Sequence, residues 1–225
     1  MTPEKPQDDR VVFLLKLRSS LPIFQMFNHG SAQTEIEPSY DEAGNYYAYT
    51  TCDVPAGSPL RTSYADPTNP SFLFARYGFL DETTPATFCK LIPSHVNKDM
   101  EDLGYAENRM LFYRTGEVSQ EVWDILLYQH LSSTKIGDRR ALVAAHKTED
   151  YATKQMLHEK YCQETAWLLE KHINEFLEQL DKLNGKAYDE TRRNIDDHPR
   201  LPLIVKHNQF VREIFLIVRH NCFGY

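Results

Sequence analysis

Apolar residues recur at helical spacing through the second half of the sequence, and this periodicity constrains the fold more than any other feature. A spacing of three or four residues predicts one long helix over about residues 148–184. The Asn184-Gly185 pair predicts its end, because glycine tolerates the left-handed conformation that follows a last helical turn. The predicted apolar face of this helix consists of Leu157, Tyr161, Leu168, Leu169, Ile173, Phe176, Leu177, Leu180 and Leu183.

Two further stretches have the same period. One begins at Ser119, and the other begins near Pro199 and Pro202, where proline suits the first turn of a helix. The predicted stripe of the last helix is Leu203, His207, Phe210, Val211, Ile214, Phe215 and Val218. Everything after residue 119 is therefore predicted to be helical. The histidines His158, His172 and His207 are interpreted as packing or surface residues, since they lack the spacing of metal ligands, and no metal site is predicted.

The first half of the sequence has the pattern of short strands separated by turns. Alternating and aromatic-rich runs bounded by Pro, Gly and Asn predict strands at 46–51, 60–64, 87–92 and 109–114. The apolar run 11–17 is compatible with a buried strand or with one side of a helix. Asn69-Pro70 predicts a helix start, with the Asn as cap. Residues 30–44 are interpreted as turn-rich, and the acidic stretch 97–107 as a solvated loop. Strands followed by helices give an α+β fold.

Composition excludes several classes of function. The formal net charge of −7 argues against a nucleic-acid-binding surface, which needs a basic excess. No apolar run approaches the roughly 20 residues of a membrane span. The polar, acidic start of the chain does not resemble a signal peptide. Four cysteines without a CxxC pair indicate reduced thiols, and together these features predict a soluble, intracellular protein whose compartment the sequence does not specify.

Two short motifs lie in the stretch from residue 21 to residue 80: Asn28-His29 and Tyr77-Gly78-Phe79. Either motif alone carries little information, because short motifs recur by chance and a single tyrosine is more often a packing residue. Between them, in order, come an acidic turn, a tyrosine-rich strand, Pro55-Ala56-Gly57, a strand ending at Ser63-Tyr64, and the helix that starts at Asn69-Pro70. The ordered set, with its spacing, is the specific signal.

This order resembles the C-terminal half of a SET domain, the catalytic domain of most protein lysine methyltransferases. The residues after Phe79 resemble the helical substrate-binding domain of the Rubisco large-subunit methyltransferase group. The resemblance implies a partial, β-rich SET domain over residues 21–95 and an all-α substrate-binding domain over 108–225, preceded by a short segment, 1–20, that is disordered or truncated.

The same resemblance implies an activity, a cofactor and roles for named residues. It implies S-adenosylmethionine-dependent methylation of a lysine in a protein substrate, with Asn28 and His29 binding the donor and Tyr77 as the catalytic residue. It also implies that the acceptor side chain is bound by Gln25, Tyr40, Phe79 and Phe88. Nucleic-acid and membrane partners are not expected, and a complete protein is expected to be a monomer.

The sequence departs from the family pattern at two places. No glycine occurs in residues 1–20, where relatives have a glycine-containing turn that holds the donor. We therefore expect an incomplete chain that binds the donor weakly or not at all, or a catalytically inactive protein-binding module derived from such an enzyme. Gln25 stands where relatives often have aspartate, which leaves a histidine acceptor open beside lysine.

Overall fold

The computed structural model of the 225-residue chain describes residues 12–14, 27–30, 34–40, 46–64, 70–89, 96–106, 109–131, 135–194 and 197–224. Small strand pairs come first and helices dominate the rest, so the predicted α+β fold with a helical C-terminal part is confirmed. The chain forms two compact units, which divide between Pro67 and Thr68. The domain limits given by the family resemblance, 21–95 and 108–225, stay predictions.

The described part of the first unit contains five strands. A three-stranded antiparallel sheet has the order β1 (Val12–Leu14), β4 (Tyr46–Thr50), β3 (Ile36–Tyr40). A separate parallel pair joins β2 (Asn28–His29) to β5 (Arg61–Thr62). Of the run 11–17, where strand and helix were both open, Val12–Leu14 is a strand and the other residues lie outside the described ones.

The interpretation of residues 30–44 as turn-rich was wrong in part, because β3 occupies the middle of that stretch. Among the described strands, β3 lies at the edge of its sheet, a position that tolerates a proline such as Pro38. Ile36 and Ala48 are fully buried in this unit, and Pro38 pairs with Ala48. The β3–β4 pair therefore provides the apolar centre of the first unit.

The second unit starts with mixed elements and continues as a helical bundle. Helix α1 (Pro70–Tyr77) is followed by β6 (Ala86–Phe88), α2 (Lys98–Asp102) and β7 (Leu111–Tyr113), with β6 antiparallel to β7. The remaining helices are α3 (Gln120–His130), α4 (Ile136–Lys147), α5 (Tyr151–Lys160), α6 (Cys162–Asn194) and α7 (Leu201–Phe223). None of the described helices is both long enough and apolar enough to cross a bilayer.

The core of the second unit comes from the helical stripes predicted above. Phe112 of β7 contacts Phe215 of α7, with ring centroids 4.7 Å apart, and Phe176 of α6 packs on the same Phe215 at 4.5 Å. Ile125 of α3 and Ile173 of α6 are fully buried in the same cluster. The predicted stripe of the last helix is confirmed at Phe210, Val211, Ile214, Phe215 and Val218, all of which are buried.

Two predictions about the helices were wrong. The stretch 97–107 is not simply a solvated loop: it contains α2, where Asn97 accepts a hydrogen bond from the N–H of Met100 and the Met100 side chain is buried. A side chain that caps the first turn and an apolar residue that packs inward stabilise even a short helix.

The single helix predicted over 148–184 is two helices. The first of them, α5, begins after Asp150, which caps it, and ends at Lys160. The hydroxyl of the next residue, Tyr161, donates to Asp138 of α4 at 2.5 Å. The second runs past Gly185 to Asn194. A glycine inside a helix costs only about 1 kcal/mol relative to alanine, which packing of the flanking turns readily offsets. Leu183, predicted on the apolar face, is 54% exposed.

Candidate functional site

The Asn28-His29 motif forms the strand β2 and lies beside β5. Asn28 pairs with Arg61 and His29 with Thr62, and the N–H of Gly30 donates to the carbonyl of Thr62 at 3.1 Å. Asn28 is exposed and His29 is half-buried. An amide that is exposed at the end of a hydrogen-bonded strand has a fixed backbone and a side chain available for a ligand.

His29 of the Asn28-His29 motif contacts Tyr64, which ends the strand at Ser63-Tyr64, although the two residues are 35 positions apart. The N–H of Tyr64 donates to Nδ1 of His29 at 3.2 Å, and the ring centroids are 5.4 Å apart. The Tyr64 hydroxyl donates to the carbonyl of Phe27, immediately before β2. Because Nδ1 accepts a hydrogen bond, a neutral His29 carries its proton on Nε2.

An ion pair that the sequence did not reveal holds β5 in place opposite Asn28. Glu35 is buried, and its carboxylate accepts from Arg61 three times: from the backbone N–H at 2.9 Å, from Nε at 3.1 Å and from a terminal guanidinium nitrogen at 2.6 Å. The N–H of Glu35 in turn donates to the carbonyl of Arg61 at 3.0 Å. The hydrogen bonds from Arg61 hold the pKa of the Glu35 carboxyl below its ordinary value.

Glu35 therefore fixes the residue that pairs with Asn28. The only sequence signal for it was its position directly before the apolar Ile36, in a stretch rich in polar residues. A carboxylate flanked by an apolar residue is common on half-buried strands, and so this signal was too weak to single out Glu35.

Helix α1 ends at the Tyr77-Gly78-Phe79 motif. Gly78 has φ +74° and its N–H donates to the carbonyl of Phe74 at 3.0 Å, so it terminates the helix in the left-handed conformation. Tyr77 is 44% exposed, and its ring lies 6.3 Å from that of Phe79, with the two planes 30° apart. The glycine is explained by backbone geometry alone. The Tyr77 ring also lies beside the guanidinium of Arg76, whose central carbon is 5.8 Å from the ring centroid.

The residues implied by the family resemblance are divided between the two units. Asn28 and His29 lie in the first unit; Tyr77, Phe79 and Phe88 lie in the second. Phe88 is half-buried in β6 and packs against the core, which is a structural role for its ring. A pocket shared by Asn28 and Tyr77 stays a prediction.

The other two predicted acceptor residues are Tyr40 and Gln25. Tyr40 ends β3 and pairs with Tyr46, but its side chain lies outside the described residues, as does the whole of Gln25. Their predicted contacts with an acceptor side chain therefore stay predictions.

A second polar cluster, also missed in the sequence, lies between α3, α4 and α5. Asp124 of α3 is 1% exposed and accepts from Lys154 at 2.6 Å, from His158 at 2.8 Å and from Gln120 at 3.0 Å. The ring of His146 lies 3.8 Å from the same carboxylate. The signal that could have revealed it is a charged residue placed among the apolar neighbours of α3, a position that is rarely filled without a partner.

The electrostatics of this cluster favour an ionised Asp124. Burial raises the pKa of the carboxyl, but the hydrogen bonds from His158, Lys154 and Gln120 together lower it further, and the resulting pKa lies below the ordinary value. His172 is different, because burial alone lowers its pKa to about 4, and it is neutral in the core beside Cys89 and Phe176. His207 stacks on Phe74 at 4.5 Å. Among the described residues, no three His, Cys, Asp or Glu side chains are grouped as metal ligands would be.

Comparison with protein-family models and with curated proteins finds no match to this chain. The functional argument therefore depends on the residues and contacts given above.

Proposed function

We propose that this chain carries part of the active site of an S-adenosylmethionine-dependent protein-lysine N-methyltransferase, with Asn28 and His29 at the donor and Tyr77 at the acceptor. The observation that supports this proposal most is the His29–Tyr64 contact, because it joins the Asn28-His29 motif to the Ser63-Tyr64 strand end, two parts of the family pattern that are far apart in sequence. The β2–β5 pair, with two residues in each strand, presents an exposed Asn28.

The residues described on the donor side fit a group that forms hydrogen bonds. Asn28 has an amide that can donate and accept, and the hydrogen bond to Nδ1 of His29 fixes the imidazole ring. The Glu35–Arg61 ion pair holds the neighbouring strand in register. S-adenosylmethionine, when bound, supplies an electrophilic methyl group.

On the acceptor side, the chain must favour the neutral amine of the substrate. A lysine ammonium has no lone pair, and its ordinary pKa is about 10.4, so a polar, solvated site would keep it protonated. Aromatic surfaces such as the Tyr77–Phe79 pair remove water from the amine and contact its alkyl stem, and desolvation lowers the pKa of an amine. The Tyr77 hydroxyl can orient the nitrogen lone pair toward the methyl group, and such positioning supplies much of the rate of a bimolecular transfer.

Donor binding can be tested by NMR, which detects weak as well as tight binding. Titration of isotope-labelled chain with S-adenosylmethionine is expected to shift the backbone signals of Asn28, His29 and Gly30, and His29→Ala is expected to abolish these shifts. His220→Ala, at an exposed position in the last turn of α7, is the matched control and should leave them unchanged. Millimolar donor without any shift at Asn28 to Gly30 would refute the proposal.

Turnover is tested separately, with radiolabelled donor and a mixture of proteins as acceptors. Tyr77→Phe removes one hydroxyl from a residue that is 44% exposed, so the fold should be retained while methyl transfer falls at least tenfold. The alternative function, a catalytically inactive protein-binding module, predicts no transfer by the parent chain and no donor shifts, yet unchanged capture of a protein partner by the second unit.

A further inference from the structure

A loop of the first unit presents a serine that the candidate site does not use. Residues 51–60 connect β4 to β5 without forming a helix or a strand, and Ser58 is exposed in this loop. The N–H of Ser58 donates to the carbonyl of Pro55 at 3.0 Å, and Gly57 between them has φ +85°. The turn orders the backbone before Ser58. The Ser58 hydroxyl has no hydrogen-bond partner among the described residues.

The residues after Ser58 have a pattern that protein kinases recognise. Pro59 follows directly, and Arg61 is three positions after the serine. Proline-directed protein kinases select such a serine, because proline brings no backbone N–H that would be left unpaired on the kinase surface. The arginine adds a charge that acidic groups of the kinase bind. A motif of this length recurs by chance, so the accessibility of the serine decides whether it can react.

A second hydroxyl residue that precedes proline shows what burial does to such a motif. Thr84 precedes Pro85, but it is 0% exposed and its hydroxyl donates to the carbonyl of Asp81 at 2.6 Å. Its third following residue is Thr87, which is not basic. Exposure and the arginine therefore distinguish Ser58 from Thr84. The Thr2-Pro3 pair, which Lys5 follows, repeats the pattern of Ser58 in sequence but lies outside the described residues.

Arg61 is placed to pair with a phosphate on Ser58. Its side chain is 36% exposed, whereas that of Glu35 is 7% exposed. Glu35 accepts from Nε and from one terminal nitrogen of Arg61, and the other terminal nitrogen has no partner among the described residues. Three residues span at most about 11 Å, a distance that an arginine and a phosphoserine side chain bridge together. Guanidinium groups bind phosphate oxygens strongly and directionally.

We propose that Ser58 is a phosphorylation site for a proline-directed protein kinase and that its phosphate pairs with the open guanidinium nitrogen of Arg61. In the reaction, Oγ of Ser58 forms a bond to the γ-phosphorus of ATP. The bond from that phosphorus to the oxygen bridging it to the β-phosphorus breaks, the hydroxyl proton passes to a base of the kinase, and ADP leaves. The phosphate carries a charge of about −1.5 to −2 at pH 7.

The phosphate would lie beside the residue that pairs with Asn28 in the β2–β5 pair, since that residue is Arg61. A change in donor binding after phosphorylation is expected only if the proposed function holds. The modification itself does not depend on methyl transfer.

The test uses the full chain with Thr2→Ala, a cyclin-dependent kinase and ATP, and mass spectrometry assigns the modified residues. We expect at least about ten times more phosphate on Ser58 than on Thr84, because the kinase reaches Thr84 only after local unfolding. Pro59→Ala retains the Ser58 hydroxyl and should lower its phosphorylation at least about tenfold, because it restores a backbone N–H. Thr115→Ala is the matched control: it removes an exposed hydroxyl that no proline follows, and the phosphate on Ser58 should not change.

Absence of phosphate on Ser58, equal phosphate on Ser58 and Thr84, or undiminished phosphorylation of Pro59→Ala would each overturn the site. The pairing is followed by NMR of the arginine Nε–H signals. We expect the Arg61 signal to shift on phosphorylation and that of Arg212, whose Nε donates to Asp181 at 2.7 Å, to stay unchanged. An unchanged Arg61 signal, or an equal shift at Arg212, would overturn the pairing.

The experiment also separates this inference from the proposed function. Donor shifts at Asn28 without phosphate on Ser58 would leave the proposed function standing and refute only the phosphorylation site. Phosphate on Ser58 without donor shifts would do the reverse.

Discussion

Replacing Asp124 by asparagine should destabilise the second unit far more than the same change at an exposed ion pair. The substitution keeps the shape of the side chain but removes the negative charge that faces Lys154 and His158. Breaking one partner of a buried pair costs about 3–5 kcal/mol, because the remaining charge stays buried without compensation. The side chains of Lys154 and His158 retain 15% and 20% exposure, so we expect about 3 kcal/mol.

The control is Asp181→Asn on α6. Asp181 accepts from Arg212 at 2.7 Å, close to the 2.6 Å of the Lys154–Asp124 pair, but its side chain is 55% exposed. Exposed pairs contribute about 0–1 kcal/mol. The two variants thus differ mainly in burial.

Both tryptophans, Trp123 and Trp167, lie in the second unit, so urea unfolding followed by tryptophan fluorescence reports on that unit alone. We expect the midpoint temperature of Asp124→Asn to fall by about 6–12 °C in a parallel thermal scan, since about 1 kcal/mol corresponds to 2–4 °C at this size. Equal free energies of unfolding for the two variants would refute the reasoning. The lowered pKa of Asp124 also sets the pH dependence of this stabilisation. The stabilisation by ionised Asp124 is present above the unfolded-state pKa and is lost as the pH falls through the folded-state pKa.

Three further predictions concern the glycine at the end of α1, the lowered pKa of His172 and the cysteine thiols. Gly78→Ala should lower the free energy of unfolding by about 1 kcal/mol through its positive φ alone, since nothing lies within 4 Å of the added carbon. Gly185→Ala, which is equally uncrowded but lies inside a helix, should raise the free energy of unfolding by about 1 kcal/mol. Urea unfolding of the two variants should therefore give changes of opposite sign. His172, with a pKa of about 4, should stay neutral at pH 5.5 by NMR. Because its folded pKa is below the unfolded value, stability should fall between about pH 6.5 and 4, and His172→Phe should remove that slope. Iodoacetamide should alkylate the exposed Cys52 in the native protein and the buried Cys89 only after unfolding; early labelling of Cys89 would contradict the core packing.

The sequence predicted those parts of the fold that depend on local pattern. The stripe of α7 follows directly from Phe210, Ile214 and Val218 at helical spacing, and all three are buried. The break at Tyr161 could not be read in the same way, since the hydroxyl of Tyr161 donates to Asp138 of another helix, a contact that the local pattern does not show. Apolar periodicity continues through that position, and periodicity alone does not distinguish one helix from two.

The sequence motifs of the candidate site could be predicted, but the contacts between their residues could not. Asn28, His29 and Tyr64 were all singled out in the sequence, and the structure places His29 against Tyr64. Glu35 was not, because its importance comes from three hydrogen bonds with Arg61, 26 residues away. A residue whose role is to hold another in place leaves little trace in the local pattern.

The parallel pairing of β2 with β5 has a consequence for the order in which the first unit assembles. Parallel strands cannot be joined by a tight turn, so β3 and β4 lie within the connection between them. Closing so long a loop costs entropy that only later contacts repay, and local hairpins form sooner than non-local pairs. We therefore expect the β3–β4 pair to form early and the contact between His29 and Tyr64, 35 residues apart, to be among the last gained and the first lost. The candidate donor contact would then exist only in molecules whose first unit has finished folding.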